Sequence, residues 1–190
     1  MLVPHHRHRQ DRLFCSSQHA APGATLVPPF DHEWIIAGQG TAALELLEEA
    51  PNLDALVVPL GGGGLLSGSA IIAKAIRAGI RVFGVEPESG NDYYLSRKAG
   101  ERVSIPQPDT IADGLRATKP GALTFPIIQS LVEGILLVSD EEILAAMELL
   151  RTRMKIVVEP SGAVAAAACL FRKLPADIRS AGIIISGGNL

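Results

Sequence analysis

Aromatic residues are scarce in this 190-residue sequence, at 4%, and there are only two cysteines. With so few rings, the interior must be aliphatic, and hydrophobic residues still make up 47% of the chain. That balance suits an α/β protein with buried parallel strands. Cys15 and Cys169 are too few for a disulfide framework and fit a reducing cytoplasm. Cys169 falls in the alanine-rich run Ala163–Leu170 and reads as a small core residue. No apolar run approaches the length of a membrane span, and the N-terminus lacks the apolar core of a signal peptide, so no membrane partner is expected. There is no excess of either charge: 17 basic and 20 acidic residues are well mixed, for a net charge of −3. Without a basic stripe, nucleic acid is excluded as a partner. There is no internal repeat.

What the sequence does have is a run of four glycines. In Asp54-Ala55-Leu56-Val57-Val58-Pro59-Leu60-Gly61-Gly62-Gly63-Gly64-Leu65-Leu66-Ser67-Gly68, an apolar stretch halts at the glycines and helical sequence follows. That order predicts a buried strand, a loop without side chains and a helix N-terminus. Glycines let a ligand lie against main-chain N–H groups, and the helix end adds unpaired donors and a favourable dipole. The natural guest is an anion, most often a phosphate.

Residues 1 to about 20 show neither helical nor strand periodicity. His5, His6 and His8 lie there without companions to complete a metal shell, so residues 1–22 read as a disordered or non-homologous lead-in. Further on, Ala24–Val27 reads as a short strand, Pro28–His32 as a stiff loop, and a helix is expected from Thr41 to Ala50, where Pro51 stops it. After the glycine loop, a helix over Ser67–Ala78 would turn Lys74 and Arg77 outward and Ile71, Ile72, Ala75 and Ile76 inward. Gly79 would close it before a strand over Arg81–Val85. A short helix is expected near Tyr93–Ala99, irregular chain over 100–120, a helix over Phe125–Val132 and a strand over Ile135–Val138. Ser139-Asp140-Glu141-Glu142 is a capping box opening a helix to about Arg153. An alanine-rich helix over Ala163–Phe171 and a last strand over Gly182–Ile185 complete the reading. Strands alternate with helices, so the fold class is α/β, a mostly parallel sheet with helices on both faces.

In such sheets ligands gather at the C-terminal strand ends. Three of these ends carry unusual residues: the tetraglycine, Glu86, and Ser186-Gly187-Gly188-Asn189. A dinucleotide site of Rossmann type is the first competitor, with Glu86 placed for a ribose. Its glycine fingerprint fails, because counting from Gly62 puts Ser67 where the third glycine belongs.

Five spaced motifs carry a resemblance: Ile36-Ala37-Gly38-Gln39-Gly40-Thr41, Val58–Leu65, Ile111-Ala112-Asp113-Gly114, Val158–Ala163 and Ser186–Asn189. Together they resemble the serine/threonine dehydratase and serine racemase family, pyridoxal-phosphate enzymes of the tryptophan-synthase-β-like fold. The likeness covers about residues 23–190, with 23–37 as a remnant of the small domain and 38–190 as the C-terminal half of the cofactor-binding large domain. It implies an L-serine/L-threonine dehydratase, an ammonia-lyase working by α,β-elimination to a 2-oxo acid. By this resemblance Gly61, Gly62, Gly63, Gly64 and the Leu65 amide cradle the pyridoxal 5'-phosphate, and Ser186 meets its pyridine nitrogen. Glu86, Gly90 and Asp92 match a divalent-cation site for Mg²⁺ or Ca²⁺; a solvated acidic loop would look the same. Glu159 reads either as a helix cap or as pocket lining, and Gly114 either as pocket lining or as a simple turn.

The family's Ser-x-Lys-x-Arg-Gly segment, which carries the Schiff-base lysine, has no counterpart. Lys74, Lys98, Lys119, Lys155 and Lys173 all stand in other contexts. The expectation is a C-terminal fragment, from a truncated gene or a frameshifted reading, with negligible dehydration on its own. It would pair with a missing N-terminal half or form a homo-oligomer. The runner-up is a catalytically inactive cofactor-binding or interaction module. Serine is not separable from threonine as substrate, nor elimination from racemisation.

Overall fold

Strand β1, Ala55–Pro59, is buried along its whole length and lies inside a four-stranded sheet. The computed structural model describes residues 27–189. His5, His6, His8, Cys15 and the strand expected over Ala24–Val27 lie outside them, save Val27, which is irregular. Strand β2, Arg81–Pro87, flanks β1 on one side and β4, Ala181–Ile183, on the other. Strand β3, Gly134–Val138, lies beyond β2. Every pair is parallel, in the order β3-β2-β1-β4, as the alternation of strands and helices predicts.

Side chains alternate along β1, so one strand feeds two cores. Leu56, Val58 and Leu60 join Leu66, Ala70, Ile80 and Ile128 on one face. Val57 faces the other way and packs with Val85, Ile143, Ala146 and Val164. The first face is covered by α2 (Thr41–Glu49), α3 (Gly64–Ile76) and α5 (Thr124–Leu131), with α1 (Glu33–Gln39) lying on α3. The second is covered by α6 (Asp140–Leu149) and α7 (Pro160–Leu170). Between β2 and α5 the chain forms α4 (Asp92–Ala99), then irregular backbone with a single 3₁₀ turn at Asp113–Leu115. No helix among the described residues is long and apolar enough to cross a membrane.

Ser139 opens α6 with a complete capping box. Its hydroxyl accepts the Glu142 N–H, and the Glu142 carboxylate accepts the Ser139 N–H at 3.0 Å. The helix widens into a π-helical turn, Leu150–Met154, and ends at Lys155 in the left-handed region.

The segment from Trp34 to Gln39 is helical, with His32 capping it by accepting the Trp34 N–H. Three expectations are corrected. Strand β2 runs on to Pro87, so Glu86 belongs to the strand itself. Helix α7 starts at Pro160, because proline needs no N–H partner in a first helical turn. The inward face of α3 is also different: Leu66, Ala70 and Ala73 are buried, while Ile71 and Ile76 are 40% and 49% exposed. The cause is a close helix crossing. A Cβ on Gly68 would stand 2.1 Å from the Ile36 carbonyl oxygen and 2.6 Å from the Gly40 nitrogen. Two glycines meet there, and that contact fixes the rotation of α3.

Candidate functional site

The loop after β1 has almost no room for side chains. Gly63 caps α3 with φ +91° and ψ −2°, in the left-handed region where a Cβ is strained. A Cβ there would also lie 2.2 Å from the Tyr93 hydroxyl oxygen. No side chain among the described residues caps α3, which leaves its first-turn N–H groups available to an anion. Gly61, Gly62, Gly63, Gly64 and Leu65 line a cavity of about 280 Å³ at the C-terminal edge of the sheet.

Gly114 and Ser186 line the same cavity, so the structure brings together seven of the eight residues expected to hold the cofactor. Gly114 is fixed there by its N–H, which donates to the Ser161 hydroxyl at 2.9 Å. The eighth, Glu159, is not among the lining residues. It stands at the N-cap of α7 without making a side-chain cap, because its carboxylate turns to the end of the chain and accepts the Asn189 N–H at 3.0 Å. A Cβ on Gly187 would meet that carboxylate at 2.4 Å. Glu159 thus holds the Gly187–Asn189 backbone beside α7, next to Ser186.

Five side chains that line the cavity or support its loop were missed by the sequence reading. Phe30 lies over Gly62 and Gly64, and Gln39 contributes from the end of α1. Behind the loop, the Gly62 carbonyl meets the Tyr93 hydroxyl at 2.9 Å and the Thr124 hydroxyl at 3.1 Å. Asp31 then fixes the start of α5 by accepting the N–H groups of Ala122, Leu123 and Thr124. Only the stiff Pro28-Pro29 dipeptide before Phe30 was a usable signal.

The proposed cation residues form a second centre, at the end of β2 and the start of α4. Glu86 is fully buried and its two carboxylate oxygens accept the Tyr93 and Tyr94 N–H groups, both at 3.0 Å. Asp92, beside it, is 1% exposed, and neither of its oxygens has a hydrogen-bond partner among the described residues. Burial, followed by the charge of Asp92, raises the Glu86 carboxyl well above the usual range. Burial likewise pushes Asp92 up to about 7. Gly90 sits in the intervening turn, its N–H bonded to the Pro87 carbonyl at 2.9 Å. The described residues hold no cluster of three or more His, Cys, Asp or Glu side chains suited to a metal. A cation here would therefore draw its remaining oxygens from backbone and water. Two buried acids without a positive partner among the described residues fit a hard cation.

None of the five lysines lines the glycine cavity. The Lys74 ammonium donates to the Ile80 carbonyl at 2.6 Å, Lys155 to the Thr152 carbonyl, and Lys173 pairs with Glu142.

Comparison with known proteins places this geometry. A family model described as pyridoxal-phosphate dependent enzyme matches residues 3–187, a range that includes much of the leading segment set apart by its sequence. The chain is 49% identical over 190 residues to an L-threo-3-hydroxyaspartate ammonia-lyase of Saccharomyces cerevisiae, covering 100% of this chain and 58% of that protein. The structure of maize serine racemase superposes with a TM-score of 0.85 at 44% identity, covering 88% of this chain and 52% of that one. A threonine deaminase of T.th. gives a TM-score of 0.84 at 45% identity, over 89% and 58%. The chain thus spans little more than half the length of these relatives, and its parallel sheet is part of the tryptophan-synthase-β-like domain that they share.

Proposed function

This chain belongs to the pyridoxal-phosphate-dependent enzyme family, and from that premise we propose that it supplies the phosphate, ring and cation contacts of an ammonia-lyase acting on small 3-hydroxy amino acids. L-serine and L-threonine are the substrates proposed first. The relative named for L-threo-3-hydroxyaspartate shares the same hydroxyl on the β-carbon and extends the class. The observation that carries the reading is the single cavity formed by Gly61–Leu65, Gly114 and Ser186 at the start of α3.

Pyridoxal phosphate, when bound, supplies the conjugated ring that withdraws electrons from the substrate α-carbon. The amides of the glycine loop and the dipole of α3 would hold the phosphate, at a place where a Cβ on Gly62 or Gly63 would clash with Phe30 or Tyr93. Phe30 packs against Gly62 and Gly64 and closes the loop on one side. The Ser186 hydroxyl would hydrogen-bond the pyridine nitrogen. A neutral hydroxyl cannot hold that nitrogen protonated as a carboxylate would, so it leaves the ring a weaker electron sink, which suits loss of a β-hydroxyl. Glu86, Asp92 and backbone oxygen near Gly90 would take Mg²⁺ or Ca²⁺.

A second reading has one observation in its favour: no lysine lines the cavity. On that reading this chain alone holds the cofactor and performs no chemistry, and turnover requires a lysine from further polypeptide. A reducing cytoplasmic setting, and assembly with a second chain or with the rest of a longer protein, belong to the same proposal.

The test is a titration of the purified chain with pyridoxal phosphate, and separately with pyridoxal, followed by equilibrium dialysis. The expected result is binding that needs the phosphate, is reversed by inorganic phosphate and is lost in Gly63→Ala. Equal binding of pyridoxal, or none of either, would overturn the assignment of the loop.

A further inference from the structure

Tyr93 touches both centres. Its backbone N–H donates to the Glu86 carboxylate at 3.0 Å, and the next residue toward the N-terminus is Asp92. Its side chain is buried, and its hydroxyl lies 2.9 Å from the Gly62 carbonyl and 2.6 Å from the Thr124 hydroxyl, while accepting the Gly121 N–H at 3.3 Å. One phenolic proton serves two acceptors, and either assignment ends at the same place. If Tyr93 donates to Gly62, the bond is direct. If it donates to Thr124, the Thr124 hydroxyl in turn donates to the Gly62 carbonyl, 3.1 Å away. Tyr93 and Thr124 are not among the residues lining the cavity, so this carbonyl is held on the core side of the loop and is not offered to an anion. The phenol also fills the notch that Gly63 leaves by having no Cβ.

We propose that Tyr93 is a positioning residue that couples the Glu86–Asp92 pair to the glycine loop, so that a divalent cation at the first and a phosphate at the second bind cooperatively. This rests on the reading of both centres given above. The physical link is short. Without a cation, the two buried Asp92 oxygens have no partner among the described residues, and satisfying them with water favours an arrangement in which the first turn of α4 loosens. The first turn carries Tyr93, so its hydroxyl leaves Gly62 and the loop loses its fixed shape. A bound cation holds Asp92 and Glu86 together, keeps that turn in place and leaves the loop ready for phosphate. Binding that favours one of two arrangements at both sites yields a coupling that must be reciprocal.

The experiment measures the affinity for pyridoxal phosphate in EDTA and at saturating Mg²⁺ or Ca²⁺, and by calorimetry the cation affinity with and without pyridoxal phosphate. Both are then repeated for Tyr93→Phe, which keeps the ring and loses the hydroxyl. In the native chain each ligand should tighten the other by the same factor, in the range of about 5- to 150-fold typical of such couplings. In Tyr93→Phe that factor should fall toward one while the cation still binds. A merely structural tyrosine would weaken both affinities and leave their ratio unchanged, which would overturn the proposal. Binding of both ligands to the native chain without coupling would also overturn it, and would leave both site assignments standing. Failure of either ligand to bind at all would remove the site assignment itself, and the coupling with it.

Discussion

The ring of Phe30 lies so close to Gly62 that a Cβ added to the glycine would stand 2.0 Å from its Cδ1. The side chain that covers the loop therefore occupies the space that a side chain on the loop would need. Gly62→Ala should push the ring away at a cost of about 1–3 kcal/mol for overpacking, which is roughly five- to 150-fold in affinity for pyridoxal phosphate. Phe30→Ala reopens that space, so the double variant should recover part of the loss. Dialysis of the three variants checks this, and a double variant no better than Gly62→Ala would show that the two residues do not compete.

Asp54 joins the start of the sheet to its last strand. Its carboxylate accepts the N–H groups of Arg179 and Ser180, both at 2.9 Å, just before β4. Those two backbone bonds hold the carboxyl below its usual range. A carboxyl with a depressed pKa in the folded state adds stability that is present above the unfolded value and is lost as pH falls through the folded value. Asp54→Asn should therefore lower the Tm at neutral pH, and the gap from the native chain should close as the pH falls through and below the ordinary carboxylate range. A gap that stays constant with pH would mean that the charge of Asp54 does not contribute.

The features that could be read from the sequence are those governed by local rules. The apolar run of β1 halts at glycines within a few residues, and Ser139 and Glu142 form their capping box three residues apart. The cradle at Gly61–Leu65 follows from the same local logic. The inward face of α3 could not be read, because it is set by Gly68 meeting Gly40 across 28 positions of sequence (68 − 40). Tyr93 and Thr124 were missed for a similar reason: each looks like an ordinary core residue until the loop 31 or 62 positions away is folded onto it. Glu159 occupies the helix-cap position that one of its two readings gave it. Its carboxylate is drawn off by Asn189, 30 positions further on.

Cys169 packs against the α6–α7 core, and burial pushes its thiol up to about 11. The thiolate is the reactive form, and at pH 8 a thiol of that pKa is ionised in roughly one molecule in a thousand. Alkylation at Cys169, followed on its own peptide by mass spectrometry, should be slow at pH 8. It should rise about tenfold per pH unit toward pH 11, and be fast already at pH 8 in denaturant. Rapid native labelling at pH 8 would mean that the site opens to solvent and is not a packed core position.

The last prediction concerns the sign of a substitution that would ordinarily be called damaging. Asp92 keeps two buried oxygens without partners among the described residues, beside the buried Glu86. Above about pH 7, where Asp92 in the cation-free protein is ionised, that charge has no partner among the described residues and lowers stability, so the comparison is made at about pH 8. Asp92→Asn keeps the shape and removes one negative charge. The cation-free variant should then melt above the cation-free native chain, by about 2–4 °C for each kcal/mol relieved in a chain of this size. Mg²⁺ or Ca²⁺ should raise the Tm of the native chain, since a ligand that binds only the folded state stabilises it, and should leave Asp92→Asn nearly unmoved. The two effects together separate a cation site from an acidic pair that is neutralised by a shared proton. With a shared proton, the variant would gain little in EDTA and neither protein would respond to the cation.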